Sequence, residues 1–162
     1  MAERWATFDC YGTLVDWNGG IERELASLFR RENSQRLLHR YHELEPEAEA
    51  DGSLSYRDVL TRTLASLAEE EGVDLPPGEE DALARSLPTW DVFAEVPAAL
   101  EEARRRGWRL AILSNSDADL IAASKARIGV PFDETVVAGE IGSYKPERGH
   151  WDEFFRRTSS DR

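Results

Sequence analysis

The chain has few cysteines, few basic residues and no long hydrophobic run, and each shortage excludes something. Of its 162 residues one is cysteine, Cys10, so no disulfide can form within the chain, as is usual in a reducing cytoplasm. The 32 acidic residues outnumber the 20 lysines and arginines, and the net charge of -12 argues against nucleic-acid and anionic-membrane partners. No apolar run approaches the roughly 20 residues of a membrane span, and the N-terminus lacks a signal-peptide core. We therefore expect a soluble cytoplasmic protein; a small anionic substrate is compatible, because local charge in a cleft can oppose the net charge.

Hydrophobic periodicity divides the chain into a helical part and a part in which strands and helices alternate. Residues 18–90 show the 3.6-residue period of amphipathic helices, most regularly at positions 56, 59, 60, 63, 64 and 67. Short runs of β-forming residues at 5–8, 108–113 and 135–138 predict strands separated by helices. This alternation predicts an α/β fold with a parallel sheet and right-handed crossovers, interrupted after its first strand by a helical insert.

Polar side chains follow each predicted strand. Asp9 and Thr13 follow the first, Ser114 and Asn115 the second, and Lys145 the third. Because the carboxyl ends of parallel strands share one edge of a sheet, we expect these residues to converge there. A carboxylate, a hydroxyl or amide, and a lysine suit covalent catalysis, in which the lysine keeps the carboxylate ionised. The ordinary alternatives are that Asp9 accepts hydrogen bonds in a turn and that Lys145 is a surface lysine.

Two features of residues 39–51 have ordinary structural explanations. His39, His42 and Glu43 have a helical spacing that can bind a metal, but without further ligands nearby the histidines are interpreted as solvent-exposed. The acidic run from Glu43 to Asp51 surrounds Pro46 and is interpreted as a solvated face or loop.

Three segments together resemble the motifs of the haloacid dehalogenase (HAD) superfamily. They are F-D-C-Y-G-T-L at 8–14, I-L-S-N-S at 112–116 and S-Y-K-P at 143–146, in the order and spacing typical of that superfamily. The resemblance implies a Rossmann-like, doubly wound parallel sheet formed by residues 1–17 and 91–162. It also implies that residues 18–90 form a helical cap domain and that Asp9 is the nucleophile.

Tyr11 distinguishes between branches of that superfamily. HAD phosphatases usually carry a second aspartate two residues after the nucleophile, whereas the type II L-2-haloacid dehalogenases read D-x-Y-G-T-L, as here. That branch works without metal, and tyrosine is a poor proton source near neutral pH. No cofactor or metal is therefore expected; magnesium would be needed only if the chain is a phosphatase on a small phosphate ester.

The resemblance also implies a role for each site residue. Asp9 would attack C2 of a short L-2-haloacid and form an aspartyl ester, which water would hydrolyse to a 2-hydroxy acid. Arg40 lies at the spacing of the arginine that receives the halide, in a similar local sequence, and Trp151 falls where these dehalogenases often have tyrosine. The implied catalytic residues are Asp9, Thr13, Arg40 and Lys145, and the implied substrate-binding residues are Tyr11, Ser114, Asn115 and Trp151. Dimers are common in this branch, so a homodimer is an open expectation.

The fourth motif of the superfamily has no counterpart before Arg162. Asp161 does not follow an apolar strand, so it is not assigned that role. We therefore expect the first strand to be an exposed edge of the sheet, which costs stability, and the chain to be weakly active at best. A chain of this fold that acts only as an interaction module is the non-enzymatic alternative.

Overall fold

The computed structural model describes residues 3–29, 34–50, 52 and 54–160. Contacts between residues divide the chain into two compact units, one formed by Met1–Asp16 with Val92–Arg162 and the other by Trp17–Asp91. Asp51 and Asp161, which figure in the sequence interpretation, lie outside the described residues.

Along the chain, three strands and eight α-helices are described. They are β1 (Arg4–Phe8), α1 (Trp17–Leu28), α2 (Ser34–Glu49), α3 (Tyr56–Glu70), α4 (Ala82–Ser86), α5 (Val96–Arg105), β2 (Trp108–Ser114), α6 (Ala118–Ile128), β3 (Glu134–Val137), α7 (Ala138–Ile141) and α8 (Gly149–Thr158), with a 3₁₀ turn at Leu87–Thr89 after α4. None of the described helices is long and apolar enough to cross a membrane.

The first unit is built on a parallel sheet with the order β1-β2-β3. Ala6 of β1 lies opposite Leu110 of β2, and Ile112 of β2 lies opposite Thr135 of β3. The predicted α/β fold with a parallel sheet is thus confirmed. The central strand β2 is buried from Leu110 to its end, as expected of a strand with a neighbour on each side. In the described part of the chain β1 pairs with β2 alone and is an edge strand, as predicted.

One face of this sheet packs on α8. The core there contains Ala111 and Leu113 of β2, Val136 of β3 and Phe154 of α8. The ring of Trp5 from β1 meets Phe154 edge to face, with centroids 5.4 Å apart. At the start of α8 the backbone passes so close to Ser143 that a Cβ on Gly149 would clash with the Ser143 side chain.

The second unit consists of α1 to α4. Ser55 begins α3 as its N-cap, since its hydroxyl accepts the Asp58 N–H at 3.1 Å. The predicted apolar face of α3 is buried, and Trp90 lies so close to α1 that only glycine fits at position 20. The buried residues of α3 are those that carry the helical apolar period in the sequence.

The acidic run beginning at Glu43 was interpreted as a solvated face or loop, which holds for the exposed Glu43 and Glu47 but is wrong for Glu45. The helix α2 continues through Pro46 to Glu49, and Glu45 is only 9% exposed. The Glu45 carboxylate accepts hydrogen bonds from the hydroxyls of Tyr56 at 3.2 Å and Tyr41 at 3.5 Å. Tyr56 in turn accepts the indole N–H of Trp17 at 2.9 Å. The tyrosine hydroxyls satisfy a carboxyl group that would otherwise be buried without a partner.

Candidate active site

The chain turns back immediately after β1 and leaves Asp9 at the end of the strand. The Cys10 carbonyl accepts the N–H groups of Val15 at 3.1 Å and Thr13 at 3.3 Å. The turn needs a positive φ, which Gly12 provides with a value of 81°, and the Gly12 N–H donates to the Val15 carbonyl at 2.9 Å. Thr13 is exposed on this turn, and the orientation of Asp9 by its hydroxyl stays a prediction.

Lys145 reaches the Asp9 carboxylate. The Lys145 Nζ donates to Asp9 Oδ1 at 2.7 Å and to the Leu113 carbonyl at 2.8 Å. The Asp9 side chain is 41% exposed and that of Lys145 is 29% exposed, so a small molecule can approach the carboxylate from solvent. A charge-assisted hydrogen bond of this length fixes one carboxylate oxygen of Asp9. Convergence of these two residues, predicted from the sheet edge, is what the structure shows.

Asn115 holds the backbone of Lys145. Its side-chain Oδ1 accepts the Lys145 N–H at 2.6 Å, and its Nδ2 donates to the Lys145 carbonyl at 3.0 Å. The peptide bond from Lys145 to Pro146 is cis. The Asn115 side chain therefore positions the lysine, and binding of a substrate by the backbone N–H groups near Asn115 stays a prediction.

Ser114 ends β2 and is bonded to a histidine that the sequence analysis missed. The Ser114 carbonyl lies 2.9 Å from His150 Nε2, and because a carbonyl only accepts, that nitrogen donates. Ser114 is 2% exposed and His150 is fully buried, and burial lowers the pKa of His150. A sequence signal for this position exists: His150 and the buried Phe154 are four residues apart, so they share one face of α8.

Tyr11 has its hydroxyl 3.1 Å from Ser124 Oγ. Ser124 donates its own proton to the Leu120 carbonyl at 3.1 Å, so in this pair the tyrosine is the donor. Burial raises the pKa of Tyr11, which keeps it a neutral phenol. Burial also raises the pKa of Cys10, to about 12, and the nearby Asp9 charge adds to this, so Cys10 is an inert thiol.

Trp151 lies on α8 with its side chain turned to other aromatic residues. Its ring centroid is 6.2 Å from that of Phe154 and 6.1 Å from that of Phe155. These rings and the β1 residues Trp5 and Thr7 line a cavity of about 230 Å³. Contact of Trp151 with a substrate stays a prediction.

Arg40 lies on α2 in the second unit. Its guanidinium donates to the Glu70 carboxylate with two bonds of 2.7 Å and to Glu43 with one bond of 2.7 Å. These exposed carboxylates raise the pKa of Arg40, which is charged at every physiological pH. The halide-receiving role that the sequence implies for Arg40 stays a prediction.

The histidines near Arg40 are not alike. The His39 side chain is 79% exposed and lies 3.5 Å from Glu43, in keeping with the sequence interpretation. His42 instead stacks on Trp17 with ring centroids 4.9 Å apart, and burial lowers the pKa of His42. The interpretation of His42 as a solvent-exposed histidine was therefore wrong. Among residues 3–29, 34–50, 52 and 54–160 no group of three or more histidines, cysteines or carboxylates is placed to hold a metal ion; independence from metal stays a prediction.

A parallel sheet whose strand ends bring an aspartate and a lysine together belongs to the α/β class of folds, and comparison with known proteins identifies the family. The family model for haloacid dehalogenase-like hydrolases matches residues 4–157. The chain belongs to this family. The resemblance inferred from the three sequence motifs is thus confirmed.

Relatives and solved structures agree with this assignment. The (S)-2-haloacid dehalogenase of Pseudomonas sp. (strain YL) is 30% identical over 86% of this chain, and the chain spans 62% of the length of that relative. A crystal structure of an L-2-haloacid dehalogenase has a TM-score of 0.87 at 20% identity and matches 99% of this chain and 75% of its own. An L-2-haloacid dehalogenase from Xanthobacter autotrophicus, solved with chloropropionic acid covalently bound, has a TM-score of 0.83 at 17% identity and matches 99% of this chain and 66% of its own. At these identities the two structures establish a common fold.

Proposed function

We propose that this chain is a hydrolase with an aspartate nucleophile, of the 2-haloacid dehalogenase type, which converts a short L-2-haloacid to a 2-hydroxy acid. The observation that carries the proposal is the 2.7 Å contact between Lys145 Nζ and Asp9 Oδ1 at the end of the parallel sheet. A partly exposed carboxylate beside a fixed cation has the partner and the access that a carboxylate nucleophile needs.

The proposed reaction has two steps. In the first, an Asp9 carboxylate oxygen attacks C2 of the haloacid, the C2–halogen bond breaks, and the halide leaves with the bonding electrons. In the second, water attacks the carbonyl carbon of the aspartyl ester, releasing the 2-hydroxy acid, the Asp9 carboxylate and one proton. Because C2 undergoes a single displacement of its halide by the Asp9 oxygen, the configuration at C2 is inverted. Lys145 holds the nucleophile in the first step and stabilises the charge that develops on Asp9 in the second.

Tyr11 supports dehalogenation over phosphate-ester hydrolysis. A phosphatase needs a group that protonates the leaving oxygen, and a neutral phenol with a raised pKa is a poor acid for that purpose. The Tyr11 hydroxyl, moreover, already donates its proton to Ser124 Oγ. Displacement of a halide needs no proton donor, so a tyrosine at this position is compatible with it.

Chloride release from L-2-chloropropionate, measured in the presence of a chelator, tests the proposal, with the D-enantiomer as the matched control substrate. We expect release from the L-enantiomer alone. Single-turnover reaction in H₂¹⁸O should place the label on Asp9, since water attacks the aspartyl carbonyl. Magnesium-dependent hydrolysis of p-nitrophenyl phosphate without chloride release would show a phosphatase instead. An Asp9→Asn variant equal to wild type in every assay would favour an interaction module.

A further inference from the structure

Three consecutive residues at the end of β2 hold the segment from Lys145 to His150 at three points. The Leu113 carbonyl accepts Lys145 Nζ, the Asn115 side chain makes two bonds to the Lys145 backbone, and the Ser114 carbonyl accepts His150 Nε2. We call this set of contacts the β2-end clamp. Two of its points hold Lys145 itself, and the third holds the far end of the segment.

We propose that His150 is a positioning residue, which through its bond to the Ser114 carbonyl fixes the segment 145–150 and so holds Lys145 against Asp9. This inference rests on the proposed function for its kinetic consequences and on the described geometry alone for its structural ones. Nothing in the sequence motifs assigns a role to His150, which lies five residues beyond Lys145.

The buried position of His150 makes this bond hard to replace. The residue is fully buried, and its Nδ1 is buried without a partner among the described residues. Since Nε2 carries the proton donated to Ser114, Nδ1 is the bare nitrogen of the neutral ring. The charged groups that act on the ring are Lys145, which disfavours its protonation, and Asp9, which favours it. Loss of the histidine would leave the Ser114 carbonyl, itself buried, without this donor.

The clamp couples the position of α8 to that of Lys145, which contacts the nucleophile Asp9. His150 lies in the first turn of α8, whose Phe154 packs into the sheet core. A segment anchored at both ends keeps the Lys145 ammonium at a fixed distance from Asp9. A segment anchored at one end samples other positions, and misplacement of a reacting group by about 1 Å can cost roughly a hundredfold in rate.

Three substitutions separate the hydrogen bond from simple packing. His150→Phe keeps a ring but removes the donor, whereas His150→Gln places an amide N–H near the position of Nε2. Phe154→Leu loosens the same helix without removing any clamp contact. Thermal unfolding and circular dichroism establish that each variant is folded before it is compared.

Hydrogen exchange of the Lys145 backbone N–H, normalised to the amides of β2, measures the clamp independently of any activity. We expect His150→Phe to lose roughly tenfold or more of the protection of that amide, and His150→Gln and Phe154→Leu to retain most of it. In chloride release, His150→Phe should lower kcat by roughly ten- to a hundredfold, with a smaller effect on KM, and His150→Gln should recover most of that loss.

A folded His150→Phe variant with wild-type protection of Lys145 would overturn the proposal. Equal loss in His150→Phe and His150→Gln would also overturn it, since only packing would then matter. If the wild-type chain releases no chloride, the proposed function fails, and the exchange comparison still decides whether His150 positions Lys145.

Discussion

Asp9 in the first unit and Glu45 in the second are both hydrogen-bonded carboxyl groups, but they differ in exposure and in the charge of their hydrogen-bond donors. Asp9 ends a strand, its side chain is 41% exposed, and it accepts a bond from the Lys145 ammonium at 2.7 Å. Glu45 lies inside α2, is 9% exposed, and its bonds come from the neutral hydroxyls of Tyr41 and Tyr56.

The difference sets the charge of each group. Burial and, to a smaller extent, the neighbouring Glu49 raise the pKa of Glu45 to about 8, so Glu45 is largely uncharged at neutral pH. Asp9 has a cation at contact distance and access to solvent, which are the conditions for an anionic nucleophile. A carboxylate thus becomes chemically useful through a paired cation and partial exposure, whereas burial among hydroxyls makes it structural.

The largest effect is expected from removal of the Asp9 carboxylate. Asp9→Asn keeps the shape of the side chain but removes the attacking oxygen anion, so chloride release should fall by at least roughly a thousandfold. Glu45→Gln, the same kind of change at the other carboxylate, should leave most of the activity. Initial rates with L-2-chloropropionate measure both variants, and equal losses would contradict the distinction drawn between the two carboxylates.

Removal of the cation beside Asp9 comes next. Lys145→Met should lower kcat by roughly 10²- to 10³-fold, because the positive charge and the fixed donor are both lost. Lys125 is a matched control in the same unit, since its Nζ donates to Thr135 Oγ1 at 2.9 Å and not to a site residue. Lys125→Met should retain activity, and a comparable loss there would mean that the effect of Lys145→Met is not specific to Asp9.

From the raised pKa of the buried Glu45 we predict how the stability of the fold depends on pH. Glu45 has a folded-state pKa of about 8 against an ordinary value of 4.5, so between these values the folded state binds the extra proton. The free energy of unfolding should therefore fall as pH rises through this window, by at most about 1.4 kcal/mol per pH unit. Urea unfolding between pH 5 and pH 9 measures this slope.

Glu45→Gln should flatten that slope, because the amide keeps an acceptor oxygen and does not ionise. Glu47→Gln, at an exposed position of the same helix, is the matched control and should leave the slope unchanged. A slope that survives in Glu45→Gln would assign the pH dependence to other groups.

The smallest effect is expected at Tyr11. Tyr11→Phe removes the hydroxyl given to Ser124, so the free energy of unfolding should fall by about 1 kcal/mol. Because that hydroxyl is engaged with Ser124, kcat should change far less than in Lys145→Met. A double-mutant cycle with Ser124→Ala checks the pair, since the loss caused by Tyr11→Phe should be smaller when Ser124 is already replaced. A large loss of kcat with unchanged stability would show that the hydroxyl takes part in the reaction.

Sequence reasoning predicted the residues whose positions follow from topology. Asp9 and Lys145 are 136 positions apart, yet Asp9 directly follows β1 and Lys145 lies in the segment after β3 and the short helix α7. The ends of parallel strands share an edge, which is where the two residues meet. The same argument placed Ser114 and Asn115 at that edge. The parallel sheet itself followed from alternating periods of strands and helices, which depend on local side-chain patterns.

Sequence reasoning failed where a side chain serves a distant backbone group. His150 donates to the Ser114 carbonyl, and the Asn115 side chain bonds to the backbone N–H and carbonyl of Lys145. Because nearly every residue offers the same backbone N–H and carbonyl, no sequence pattern marks the partner of such a bond. Glu45 was misread for another reason. The acidic composition around it suggested exposure, while the buried Tyr41, Leu44 and Ala48 on the same helix carry the helical period of a buried face.

The close approach of Gly149 to Ser143 sets a limit on how this site can be altered by directed evolution. A library that changes substrate preference would naturally randomise the residues beyond Lys145. A side chain at position 149 would force either Ser143 or the first turn of α8, which carries His150, to move. We therefore expect variants there to lose activity through misplacement of Lys145, even when the new side chain is far from the substrate.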